Sequence, residues 1–205
     1  MADAPAATPA EPQYVDPDVS RRKFDREIAD YRALERDYQQ RGWFLVEANY
    51  PTVVVLLAAP HVSPSPVVTG VLFDYTNYDA QPPSVRLVNP FTREPYQANQ
   101  LPTTLNRGIP HSMPGAPDGM QMLVQQPLMQ WYAPTDIPFL CLAGVREYHN
   151  HPGHSGDSWE LHRPTGAGAL VRLLEVIHTY GVAPLAGWKV NFNPQVMFGW
   201  TEPPT

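Results

Sequence analysis

GVLFDYTNYDAQPPSVRLVNP, residues 70–90, carries the topology of this chain. An apolar run passes into the polar-aromatic turn residues Asp74, Tyr75, Asn77 and Tyr78, then resumes beyond Pro82-Pro83 as the short alternating strand 84–88, which ends at Asn89-Pro90. With the preceding valines the first part reads as a strand over residues 67–78, in which Gly70 marks a bulge or a close approach of backbone. Upstream, residues 43–47 and 52–58 read as two further strands. The second, TVVVLLA, is a continuous apolar run and is therefore expected to be covered on both faces. Short, turn-rich links between successive strands predict an antiparallel four-stranded meander.

Helical periodicity flanks this sheet. Over residues 20–41, Phe24, Ile28, Tyr31, Leu34 and Tyr38 recur at three- and four-residue steps. Asp18 or Ser20 is a candidate cap, and Gly42 stands where a left-handed terminator belongs. A second stripe, Leu170, Leu173, Leu174, Ile177 and Tyr180, predicts a helix over residues 167–180 with Thr165 as cap and Gly181 as stop. The expected class is α+β: N-terminal helix, four-stranded meander, an irregular Pro-rich segment, and a C-terminal helix. Residues 1–18 read as a disordered Ala/Pro-rich tail, 19–182 as the domain, and 183–205 as a strap that packs Trp188, Phe192, Phe198 and Trp200. Residues 89–138 show little periodicity beyond one strand near 121–124. His111 lies in that stretch and reads as exposed.

The 205 residues carry a net charge of −6 and 25 prolines. No basic stripe suits a nucleic-acid backbone, so that partner class is set aside. One cysteine excludes an internal disulfide framework and fits a reducing compartment. The start lacks the basic and apolar regions of a secretory signal, and the apolar run 51–60 is too short for a bilayer. A soluble, cytoplasmic protein with no membrane partner is expected.

Chemistry concentrates in residues 141–163, CLAGVREYHNHPGHSGDSWELHR, which hold the only cysteine and four of the seven histidines. In an extended run Cys141, Glu147, His149 and His151 share one side. Gly144 permits a bend, and Pro152-Gly153 is a turn that swings His154 back over them. Thiolate, imidazole and carboxylate donors suit tetrahedral Zn²⁺. The candidate ligands are Cys141, His149 and His154 first, then Glu147 and His151, with His162 more distant. Four protein ligands make a structural site; three leave Glu147 free to act as base on a bound water. Ser155 and Ser158 are alternative hydroxyl nucleophiles beside imidazoles, although Ser155-Gly156-Asp157 also reads simply as a turn. Trp159 reads as an anchor over the site, and His178 as a surface or core histidine rather than a ligand.

The order helix, meander, Pro82-Pro83-Ser84-Val85, Leu140-Cys141-Leu142, Trp159, helix resembles the ubiquitin-conjugating-enzyme (UBC-like) fold over residues 20–182. Within it, Cys141, Glu147, His149, His151 and His154 resemble the signature of the CEHH family of predicted metal-binding proteins. The first two letters fall on Cys141 and Glu147, and the two histidines among the remaining three. That resemblance implies a zinc-binding UBC-like protein with a mainly structural metal, acting in a bacterial ubiquitin-like conjugation pathway such as antiviral defence. Its implied partner is a ubiquitin-like protein or the activating and conjugating machinery. The same resemblance admits an active carrier holding the modifier on Cys141 or a nearby serine, and a metal-dependent hydrolase using Glu147 is the third reading. One departure stands out: the His-Pro-Asn triplet of conjugating enzymes is absent, with His111-Ser112-Met113-Pro114 in its stead.

Overall fold

The computed structural model describes residues 12–112 and 121–189. Helix α1, Pro17–Ala33, starts behind Asp16, whose side chain accepts the Asp18 amide, with proline at the first turn where no donor is lost. It begins earlier than its apolar stripe suggests. Residues just ahead of it are also anchored: Asn77 Oδ1 accepts the amides of Tyr14 and Val15 at 2.8 and 3.1 Å, and Asn77 Nδ2 donates to the Pro12 carbonyl. The periodic run 20–41 is not one helix. Leu34 leaves helical geometry (φ −121°, ψ 19°) and a separate short helix α2, Glu35–Gln40, follows. Phe24, Ile28, Tyr31 and Tyr38 are buried, each contributing about 1.5–3 kcal/mol of apolar burial.

The strands β1 (Trp43–Asn49), β2 (Thr52–Ala58), β3 (Val67–Asp74) and β4 (Ser84–Val88) form one antiparallel sheet in chain order, the meander that the turn-rich links predict. Val53, Val54 and Val55 of β2 are all buried, as a strand covered on both faces requires. Gly70 is a close approach rather than a bulge. It pairs in regular register with Leu56 and Val88, and a Cβ there would lie 2.8 Å from the Val88 side chain. The bulges fall elsewhere, between Leu45 and Glu47 and between Leu57 and Ala58.

Residues 89–138, nearly featureless in sequence, contain a hairpin of β5 (Asn106–Ser112) and β6 (Gln121–Pro127), then β7 (Met129–Gln130), which pairs with β8 (Phe139–Leu140). Helices α3 (Arg146–Asn150) and α4 (Trp159–His162) are short, and α5, Leu170–Ile177, buries Leu170, Leu173, Leu174 and Ile177 before a π-helical turn over His178–Val182. Thr165 does not cap α5; it ends a 3₁₀ turn and donates to the His162 carbonyl. The α5 start is served across the core instead. Glu27 of α1, only 8% exposed, accepts the Leu170 amide at 3.0 Å and the Tyr78 hydroxyl at 2.8 Å, placing a carboxylate at the positive end of that helix. Of the proposed strap, Trp188 donates to the Pro64 carbonyl; Phe192, Phe198 and Trp200 lie outside the described residues. No helix among the described residues is long and apolar enough to cross a membrane.

Candidate functional site

Residues 141–163 pack against the end of the sheet through the Pro82-Pro83 segment. Arg146, at the start of α3 and 5% exposed, donates its backbone amide to the Pro83 carbonyl and its guanidinium to the carbonyls of Pro82, Asp74 and Thr76. Trp159 is buried and its indole donates to the Asp79 carbonyl. Gly144 (φ +99°) makes the bend possible: a Cβ there would stand 2.3 Å from the Ala167 carbonyl oxygen. These contacts fix the base of the site to the β3–β4 connection.

The segment after Cys141 is a bend and a short helix, not an extended run, and this redistributes the candidate ligands. Two residues along a helix are about 200° apart rather than on one side. Glu147 therefore faces β4, where its carboxylate accepts from the Ser84 hydroxyl, pairs with Arg86 at 3.0 Å and meets the Val85 amide at 3.4 Å. His149 faces the opposite way. Its Nε2 accepts the Gly144 amide at 3.1 Å and its Nδ1 donates to the Asp157 carbonyl at 2.9 Å. Both ring nitrogens are thus used by backbone, and burial lowers the pKa of the ring. His149 is a neutral histidine that closes a loop.

What comes together at Cys141 is His154. The sulfur lies 3.4 Å from His154 Nε2, and the Cys141 amide donates to the Leu128 carbonyl at 2.7 Å. Burial pushes the Cys141 thiol up, with Arg107 acting in the opposite sense. His154 is held by the ring of Tyr148, stacked on it at 4.0 Å between centroids and 23° between planes. Tyr148 is fixed in turn: its hydroxyl donates to Asp157 Oδ2 at 2.5 Å, while Asp157 Oδ1 meets His162 Nε2 at 2.5 Å. The hydrogen bond to Asp157, then burial, carries the Tyr148 phenol up to about 12, and the Tyr148 and His162 contacts hold Asp157 below its ordinary value.

His151 stands beside this pair, 5.4 Å from His154 between ring centroids. Its Nδ1 accepts the Gly153 amide at 3.1 Å, so a neutral ring carries its proton on Nε2, which lies 2.5 Å from the exposed Tyr132 hydroxyl. Ser155 is exposed at the end of the 3₁₀ turn Pro152–His154, and Ser158 caps α4 by accepting the Glu160 amide. His111 is exposed on β5, and the His178 ring packs on Trp43.

The sequence stretch therefore splits into three places: Glu147 on β4, His149 on backbone, and Cys141 with His154. Among the described residues no three His, Cys, Asp or Glu side chains gather as a metal-holding group. Glu147 and both ring nitrogens of His149 have other partners, so the five candidate ligands do not converge on one point, whereas Cys141, His154 and His151 lie beside one another. Tyr148 and Asp157, which position His154, carry no signal in the sequence beyond lying within the cluster.

Fold and site together define an α+β protein with an antiparallel four-stranded sheet, N- and C-terminal helices, and a cysteine–histidine pair. The chain belongs to the Y4jH family (Y4jH-like), which it matches over residues 15–185. It is similar to the uncharacterized protein y4jH of Sinorhizobium fredii (strain NBRC 101917 / NGR234), 44% identical over 188 residues that span 88% of this chain and 91% of that one.

Proposed function

We propose that this protein is a carrier on a UBC-like scaffold, with Cys141 as the thiol that accepts a ubiquitin-like protein and His154 as its base. The observation that carries this reading is the 3.4 Å approach of His154 Nε2 to the Cys141 sulfur. A thiol raised by burial is neutral at physiological pH and needs a base to become a nucleophile. The chain order of helix, meander and short strand ahead of Cys141 supports the scaffold assignment.

The step is a thioester exchange. The Cys141 thiol loses its proton to His154 Nε2, and sulfur attacks the carbonyl carbon of a modifier joined through its C-terminus to a partner's thiol. A tetrahedral oxyanion forms, then collapses by breaking the carbon–sulfur bond to the partner. His154 returns its proton to the departing thiolate. No oxidant or reductant enters. Tyr148 serves by keeping the imidazole in place.

Zinc binding stays a second reading, because 3.4 Å also suits two donors of one tetrahedral ion. Against it stand the engaged Glu147 carboxylate and the doubly bonded His149 ring. Nothing supports Glu147 as a hydrolytic base, since Ser84 and Arg86 hold its carboxylate. Incubation with the cognate activating enzyme, ubiquitin-like protein and ATP tests the carrier role. An adduct sensitive to thiols, absent in Cys141→Ala, supports it, and no adduct under any condition overturns it.

A further inference from the structure

The ribbon β5–β6 is rooted in the core and then leaves it. At its base Leu105 and Leu128 are buried, and the Leu128 amide donates to the Leu105 carbonyl at 2.7 Å. Beyond that pair every residue of β6 is exposed, although Met122, Leu123 and Val124 are apolar, and Ile109 of β5 is exposed beside them. β6 pairs with β5 alone, and among the described residues its outer edge makes no backbone hydrogen bond. A bare two-stranded ribbon is marginal in water, and further strands stabilise it.

Three other strand edges of this chain are blunted. β1 bulges between Leu45 and Glu47 and carries that carboxylate, and the outer edge of β4 is met by Tyr96, whose amide donates to the Leu87 carbonyl at 3.1 Å. β5 places Pro110 in mid-strand. β6 has no such device: no charged residue, no proline before its last position, and no bulge in its register with β5. Its edge is open to another strand.

We infer that β6 pairs with β6 of a second copy, joining two ribbons into one four-stranded antiparallel sheet. The ribbon is complementary to itself in that arrangement. Full overlap of the two strands about a two-fold axis sets Val124 opposite Val124 of the second copy, so one row across the sheet reads Ile109, Val124, Val124, Ile109, all β-branched. The neighbouring rows on that face read Arg107, Gln126, Met122, His111 in opposite senses. The two guanidiniums therefore stand at opposite corners, and no like charges meet. Pairing consumes both β6 edges and leaves β5, with Pro110, outermost, so the assembly closes at two copies instead of growing. The inference is independent of the chemistry at Cys141.

Analytical ultracentrifugation of the full chain tests it. Seven paired residues make an interface smaller than the about 1,200–2,000 Å² of a standard complex, so a reversible dimer in the micromolar range is expected. Val124→Lys and Val124→Glu each set like charges face to face on the axis. Each is expected to raise the dissociation constant about tenfold, with the circular dichroism unchanged. Mixed in equal amounts, the two variants are expected to associate as the wild type does, because a mixed dimer sets opposite charges together. A wild type that stays monomeric up to about 500 µM overturns the inference. So does a dimer that neither variant weakens, or one that both weaken and the mixture does not restore. Assembly beyond two copies overturns the closure at β5.

Discussion

The Cys141 sulfur and His154 Nε2 are 3.4 Å apart across a separation of 13 residues, with the Tyr148 ring stacked on the far partner. The bend at Gly144, the helix α3 and the 3₁₀ turn at Pro152–His154 together bring the two side chains into contact. Removing the imidazole tests the relationship. His154→Gln is expected to slow iodoacetamide alkylation of Cys141 at pH 7 by about tenfold or more, because the buried thiol then lacks a base. Mass spectrometry of the alkylated chain over time gives the rate.

Glu147 belongs to the scaffold. Glu147→Gln removes the charge that faces Arg86 in a setting only 16% exposed, and is expected to cost about 2 kcal/mol in urea unfolding. The alkylation rate of Cys141 stays within about twofold of wild type. A collapse of that rate with unchanged stability would return Glu147 to the chemistry.

Arg146 gives a larger effect of the same kind. Its buried guanidinium bonds the carbonyls of Pro82, Asp74 and Thr76, so Arg146→Met leaves several buried acceptors without this partner. A loss of about 3 kcal/mol is expected by chemical denaturation.

The pH dependence follows from His149. Burial lowers its pKa in the folded chain, so on acidification the unfolded chain takes up a proton that the folded chain resists. Stability is therefore full above the unfolded value near about 6.5 and is lost as pH falls through the lowered folded value. His178, lowered in the same way, adds to the slope. Unfolding free energy should drop between about pH 7 and 5 in the wild type, and drop less in His149→Gln.

These expectations differ in how far residue patterns alone could reach them. The four strands were readable because alternation, continuous apolar runs and Pro82-Pro83 are local signals, and α5 because Leu170, Leu173, Leu174 and Ile177 keep a helical period. Of the hairpin β5–β6 only the first part of β6, near residues 121–124, was readable; β5 and the pairing were not, since β6 is exposed along its whole length and so has no buried face to impose alternation. Within the site, the density of histidines was visible but their partition was not. A strand reading aligns Glu147 with His149, whereas five residues of helix turn them apart, and the choice between those periods rests on the distant carbonyls that hold Arg146. The N-terminal Ala/Pro-rich reading ends in anchored chain at Pro12 because Asn77, 65 residues away, supplies the partner.

Metal analysis separates the two site readings. Protein purified without a metal-affinity tag is expected to carry far less than one equivalent of zinc, and chelator to leave Tm unchanged, because His149 and Glu147 already have other partners. A full equivalent with chelator-sensitive unfolding would favour the zinc reading over the carrier.

The most direct measurement is intact-mass detection of an adduct after incubation with the cognate activating enzyme, a ubiquitin-like protein and ATP. The carrier role predicts a thiol-sensitive adduct on the wild type, its loss in Cys141→Ala, its reduction in His154→Gln and its persistence in Ser155→Ala. No adduct, or one that survives in Cys141→Ala and disappears in Ser155→Ala, would contradict it.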